Sequence, residues 1–425
     1  MPLGLRARLA EPGTRASVWL VGVATALCVA WLAPLAVRFQ QAQAASGRAQ
    51  RRVAMARWQA LVDLPFPMPP AWRRLARWNL AWEDYRSAWH HYQRGEYDTA
   101  RSEALAALRL VPDYAQAMYA LAVMALAEGN ADTAIALARK VEERWPNWSD
   151  AVELEGRALM AKGNWRQAAK TLAKAWRATR GWGAGYSYAQ SLTFAGLTDL
   201  AGETWRELAK PPKPASAAWH FEVQALVLER RTQAAEALCQ RELNGPTGAE
   251  ALLSLAQLRW LAADLAGAER YFGAAEQRFE GVNRLLAWEG LFQLYRQEGH
   301  WEKALEVARK CVGEYPERSQ GHFLQARALD ALGRKKEAGE VLRRMLRSES
   351  PALRASAPQA RRELERLDRG QPLIEPVEAW SDMEVPPGLY LTPEMARQWK
   401  ERVNEALSRQ RGSARSTRAT AARHQ

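Results

Sequence analysis

The sequence predicts an all-α chain built as a stacked array of helical hairpins, and three observations carry that prediction. Ala, Leu, Glu, Arg and Gln dominate the middle of the chain, while strand-forming runs of Val, Ile and Thr are scarce. Glycines recur with a fixed period: Gly95, Gly129 and Gly163 are 34 residues apart, Gly196 follows after 33, and Gly299 and Gly333 are again 34 apart. A small residue stands five positions after these glycines, at Ala100, Ala134, Ala168, Ala201, Ala304 and Ala338. A fixed period of this length is the mark of a repeat array, in which each unit buries its apolar face only against its neighbours.

Residues 1–17 form a basic N-terminus with Arg6, Arg8 and Arg15. Residues 18–37 carry no charge, and twenty helical residues span about 30 Å, the thickness of a bilayer's hydrocarbon core. The run predicts a single transmembrane helix, with Trp19 and Trp31 towards its ends. A single-pass protein of the cell (inner) membrane follows, anchored through residues 18–37 and with the body on the extracytoplasmic side. Ala42-Gln43-Ala44 resembles a signal-peptidase site, but the long apolar run and the intervening Arg38 favour an uncleaved anchor. Residues 38–80 are a juxtamembrane basic and aromatic segment, whose AWRRLARWNLAW stretch suits either a lipid surface or an N-terminal cap.

Residues 81–350 hold the array. Each unit reads as a helix, a tight turn, a second helix and a stop. The turn glycine supplies the left-handed conformation that ends the first helix, and the small residue lets the paired helices approach. Pro112 and Pro146 are 34 residues apart, and Pro316 and Pro351 come within one residue of that spacing. A proline there stops the second helix because it has no N–H to give. This length, turn glycine, mid-helix alanine and terminal proline resemble the tetratricopeptide repeat (TPR). The resemblance implies a right-handed α-α superhelix of about eight hairpins, beginning near Ala81, Ala115, Ser149, Trp182, Ser216, Ala249, Leu285 and Ser319. Arg230 and Ala263 occupy turn positions where glycine is usual. Residues 351–370 read as a capping helix, with proline in its first turn and Gly370 after it. Residues 371–425 read as a Pro-rich linker, a short helix opened by Thr392-Pro393-Glu394, and a basic disordered tail.

Charge and chemistry narrow the function classes. Residues 1–80 hold 11 basic residues against 2 acidic, residues 81–350 hold 36 against 35, and residues 351–425 hold 13 against 10. The body is therefore neutral and offers no basic stripe to nucleic acid. Cys28, Cys239 and Cys311 make no ligand pair, and read as buried fillers. His90 and His91 are adjacent and so point to different helix faces; no metal spacing follows from them. GWGAG at 181–185 opens a repeat and follows no strand, so it makes no dinucleotide site. Neither a catalytic constellation nor a cofactor is expected, and the chain reads as a non-enzyme.

The TPR resemblance implies a concave wall lined from set positions of each first helix. By that register the wall carries Tyr85, Trp89, Tyr92, Arg157, Tyr186, Gln190, Gln224, Gln257, Gln293, Phe323 and Arg327. Four successive glutamines suggest a ladder for an extended peptide backbone, since carboxamides both donate and accept. The expectation is a membrane-anchored scaffold that binds other proteins in this groove, within bacterial envelope assembly. The alternative is a carbohydrate- or peptidoglycan-binding module that uses exposed Trp and Tyr among the nineteen tryptophans.

Overall fold

Apolar residues three and four apart in each 34-residue phrase dictate helices, and helices are what form. A computed structural model of the chain describes residues 12–47, 50–65, 68–210, 215–373 and 389–423, with backbone alone at 12–25, 27–29, 215–218 and 410–423. Every regular element among them is helical. The chain divides into two compact units, residues 1–91 with 97–120, and residues 92–96 with 121–425.

The first unit holds α1 (Pro12–Gly47), α2 (Arg51–Val62), most of α3 (Pro70–Gln93), α4 (Tyr97–Leu110) and the opening of α5 (Ala115–Ala127). The predicted single-pass placement is overturned here. The run 18–37 lies within α1, yet among the described residues no helix is long and apolar enough to cross a membrane. The side chains of residues 18–25 and 27–29, which carry half of that run, lie outside the described residues. At the C-terminal end of that run Leu35 packs on protein, while Trp31 and Val37 stay exposed. Leu35, Ala42 and Ala45 are buried in one cluster with Ala54, Trp58 and Leu61 of α2. The Phe39 ring sits edge-on to Trp58 at 5.3 Å and to Trp72 at 5.2 Å. Hydropathy alone could not distinguish such a helix from one facing lipid. The α3 helix runs without a break through residue 80, where the sequence suggests a boundary.

The second unit continues as α6 (Ala131–Arg144), α7 (Ser149–Ala161), α8 (Trp165–Thr179), α9 (Trp182–Phe194), α10 (Thr198–Ala209), α11 (Ala215–Leu228) and α12 (Thr232–Glu242). Then come α13 (Gly248–Leu261), α14 (Leu265–Arg278), α15 (Arg284–Glu298), α16 (Trp301–Glu314), α17 (Ser319–Ala331) and α18 (Lys335–Arg347). Short α19 (Pro351–Ala355), α20 (Ala357–Asp368) and a long α21 (Pro393–Arg423) follow. Where the sequence suggests a short helix and a free tail, the backbone of α21 stays helical for 31 residues.

The turns explain the period. Gly299 has φ 77°, its N–H reaches Arg296 O at 3.1 Å and His300 N–H reaches Tyr295 O at 2.8 Å, a pair of bonds that consumes the carbonyls left over at the end of α15. The alanines five residues past the glycines (Ala100, Ala134, Ala168, Ala201, Ala304 and Ala338) are all 0% exposed. Helices of neighbouring pairs approach so closely that a Cβ on Gly290 of α15 would run into the Phe272 ring of α14. Cys239 and Cys311 are buried, and burial pushes both thiols up to about 12, so they stay protonated fillers.

Candidate functional site

The first helices of successive pairs, α7, α9, α11, α13, α15 and α17, supply wall residues of the second unit. The sequence register singles out Gln224 on α11, and its carboxamide meets an extended backbone. Its Nε2 donates to Tyr390 O at 2.6 Å and its Oε1 accepts from Tyr390 N–H at 2.9 Å. Gln224 is 1% exposed, so this bidentate pair is shielded from water. The backbone it holds belongs to the same chain.

An aromatic cage receives the Tyr390 ring. Trp205 on α10 stacks parallel to it at 5.7 Å and 6°, and Phe194 meets it at right angles at 5.8 Å. Tyr186, the wall tyrosine of α9, lies at 6.0 Å and 83°, and the two phenol oxygens share a hydrogen bond. Trp182 stacks behind Tyr186 at 5.2 Å. Burial, with the neighbouring Tyr390 phenol, pushes the Tyr186 hydroxyl well above the ordinary tyrosine range, so it remains a neutral donor and acceptor.

Past Tyr390 the chain turns into α21. The Thr392 hydroxyl accepts from Met395 N–H at 3.3 Å and caps it, with Pro393 in the first turn. Ala396, Trp399 and Val403 are 0% exposed and Leu407 6%, a spacing that lines one helix face. Trp399 Nε1 donates to Trp260 O at 3.0 Å, with the two indole rings 5.8 Å apart. Before the undescribed residues 374–388, Leu373 N–H donates to Asp330 Oδ2 of α17 at 2.7 Å. Described chain is thus held at Asp330 and again at Gln224 and Trp260, all on first helices.

The remaining wall residues sit in differing surroundings. Gln190 is half-buried on α9 and Gln257 is buried on α13. Gln293 accepts from Arg296 Nη1 at 3.1 Å within its own helix. Arg327 lies 6.0 Å from the Phe323 ring centre and donates to Glu363 Oε1 of α20 at 2.6 Å, so this far-end pair engages the capping helix. Half-buried Tyr92 has its hydroxyl pushed up by burial, opposed by the nearby charge of exposed Arg157. In the first unit, half-buried Tyr85 lies 6.3 Å from Tyr114 and 5.6 Å from Trp82, and Trp89 is also half-buried.

Sequence reasoning missed Leu389, Tyr390, Leu391 and Trp399. The readable signal was the apolar spacing of Ala396, Trp399, Val403 and Leu407, which asks for a partner surface. Packing claims five of the nineteen indoles that a glycan site could use: Trp58, Trp205, Trp260, Trp288 and Trp399 are fully buried, whereas Trp78, Trp82 and Trp182 are exposed. Among the described residues no group of His, Cys, Asp and Glu is placed to hold a metal.

Two family profiles described as tetratricopeptide repeat match the chain, one at residues 85–147 and 290–359, the other at 125–192. The chain therefore contains tetratricopeptide repeats, which mark it as a protein–protein interaction scaffold. No curated protein matches it in sequence. Among solved structures it is similar to pilF of Pseudomonas aeruginosa, at 18% identity and TM-score 0.39 over 50% of this chain and 96% of that one. It is also similar to yeast Tom70, at 14% identity and TM-score 0.43 over 79% of this chain and 82% of that one. A tetratricopeptide repeat protein from Parabacteroides merdae ATCC 43184 gives 14% identity and TM-score 0.38 over 59% and 97%. Likenesses this distant carry no functional argument.

Proposed function

We propose that the wall formed by α9, α10, α11 and α13 is the binding face of this scaffold, within an array of about eight hairpins, and that it grips an extended protein segment by its backbone. One observation supports this above the rest: Gln224 donates to and accepts from a single residue's main chain, at 2.6 and 2.9 Å. Two bonds to backbone demand an extended chain but no particular side chain, and the neighbouring cage then selects an aromatic one.

The test is photo-crosslinking. A photoreactive phenylalanine at Gln190, half-buried on the same helix as Tyr186, should attach to partner proteins through an extended segment. The yield should drop several-fold when Gln224→Ala is added. Partners that crosslink only through folded surfaces, or a yield indifferent to Gln224→Ala, would rule the wall out.

A further inference from the structure

We infer that the segment recognised by this wall is an aliphatic–tyrosine–aliphatic stretch running into an amphipathic, tryptophan-bearing helix, and that residues 389–407 are the chain's own copy, which a partner segment must displace. The inference rests on the wall being a partner-binding face.

Each element of recognition is satisfied by the internal copy. Leu389 is 0% exposed and Leu391 1%, flanking a tyrosine held through its backbone by Gln224 and through its ring by Trp205, Phe194 and Tyr186. The Tyr186 hydroxyl selects tyrosine over phenylalanine, because a phenylalanine would fill the cage yet leave a half-buried hydroxyl without that partner. Four apolar residues of the following helix line one face, and the Trp399 indole reaches Trp260 O at 3.0 Å, a carbonyl at the end of α13. The opposite face, with Arg397, Glu401, Arg402 and Glu405, stays exposed. The chemistry is specific enough to define a ligand class, and that class is protein.

The geometry also sets the terms of competition. The copy is joined to the array through residues 374–388, and Leu373 is pinned at Asp330. A short tether raises the local concentration of the copy to the order of millimolar. A partner segment of the same intrinsic affinity is therefore held off, while one that adds contacts outside the cage displaces the copy. Weakening the copy without touching the wall should open the site.

The probe is a fluorescent synthetic peptide with the sequence of residues 389–409, titrated into the full-length chain. The intact chain should bind it weakly. The full-length Tyr390→Ala, Trp399→Ala chain should bind it at least tenfold more tightly. That gain should vanish when Gln224→Ala is added to the chain, or when the tyrosine of the peptide is replaced by alanine. Since Trp399→Ala removes a buried indole, Tyr390→Ser alone serves as the second variant; it leaves the apolar face of α21 intact and should give a smaller gain of the same sign. Equal binding by intact and weakened chains, or binding indifferent to Gln224, overturns the inference. A partner crosslinked at position 190 through a segment lacking an aromatic residue would also overturn it, and would leave the wall's role as a binding face standing.

Discussion

Asp84, on α3 in the first unit, is 7% exposed and has Glu83 and Glu103 near it. Burial, reinforced by Glu103 and partly opposed by Arg109, lifts its carboxyl from an ordinary 3.8 to about 6. A folded-state value above the unfolded one means that the folded protein holds the extra proton. The contribution of Asp84 to stability is then fully present below pH 4 and is lost between pH 4 and 6. The loss is about 2–3 kcal/mol at neutral pH, at 1.36 kcal/mol per unit. Asp84→Asn should raise the urea midpoint at pH 7.5 and leave it nearly unchanged at pH 4. Backbone conformation gives a second handle. Ala263 sits at φ 62° in a turn position that takes glycine elsewhere, as Gly299 does at φ 77° with open space around it. Left-handed backbone costs a residue with a Cβ roughly 1–2 kcal/mol, offset by about 0.4–1 of unfolded-chain entropy. Ala263→Gly should therefore stabilise by about 0.5–1 kcal/mol and Gly299→Ala destabilise by about as much, read from thermal or urea midpoints.

At the scale of elements, legibility follows range. Helix and turn were readable because Gly299 and Ala304 answer to contacts a few residues away, and those leave a period in the sequence. The register also singles out Gln224, which lies 166 residues from Tyr390 in sequence. No local pattern encodes that pairing, and the prolines between 371 and 391 read as linker whichever surface the chain beyond them meets. Residues 18–37 were misplaced because a charge-free run was counted as a span, whereas no described helix is long and apolar enough to cross a membrane, and Leu35 packs on protein. The element the sequence understated, α21, should be the most sensitive. Trp399→Ala removes a fully buried indole, a change that typically costs about 3–5 kcal/mol where the site cannot collapse. Limited trypsin digestion should cut at Arg397 and Arg402 many times faster in that variant, while cleavage within α6–α8 stays at its original rate; equal rates at both places would mean that α21 docks without its indole.

On the scale of the whole molecule, a repeat array is nearly one-dimensional, since each hairpin touches only its neighbours. Phe272→Ala should then raise amide exchange across α13–α15, where the ring fills the space beside Gly290, and leave α6–α8 protected. The segment from Leu373 to Leu407 breaks that rule, because it joins Asp330 on α17 to the cage on α9 and α10. This cross-link between distant hairpins has a consequence during synthesis. The ribosome makes the array before it makes Tyr390, and elongation runs at about 5–20 residues per second. For roughly the first seconds after α20 emerges, the newborn cage faces water with no tyrosine in it. A client or a chaperone present at that moment meets an open receptor, and every later arrival meets one that has already closed on its own tail.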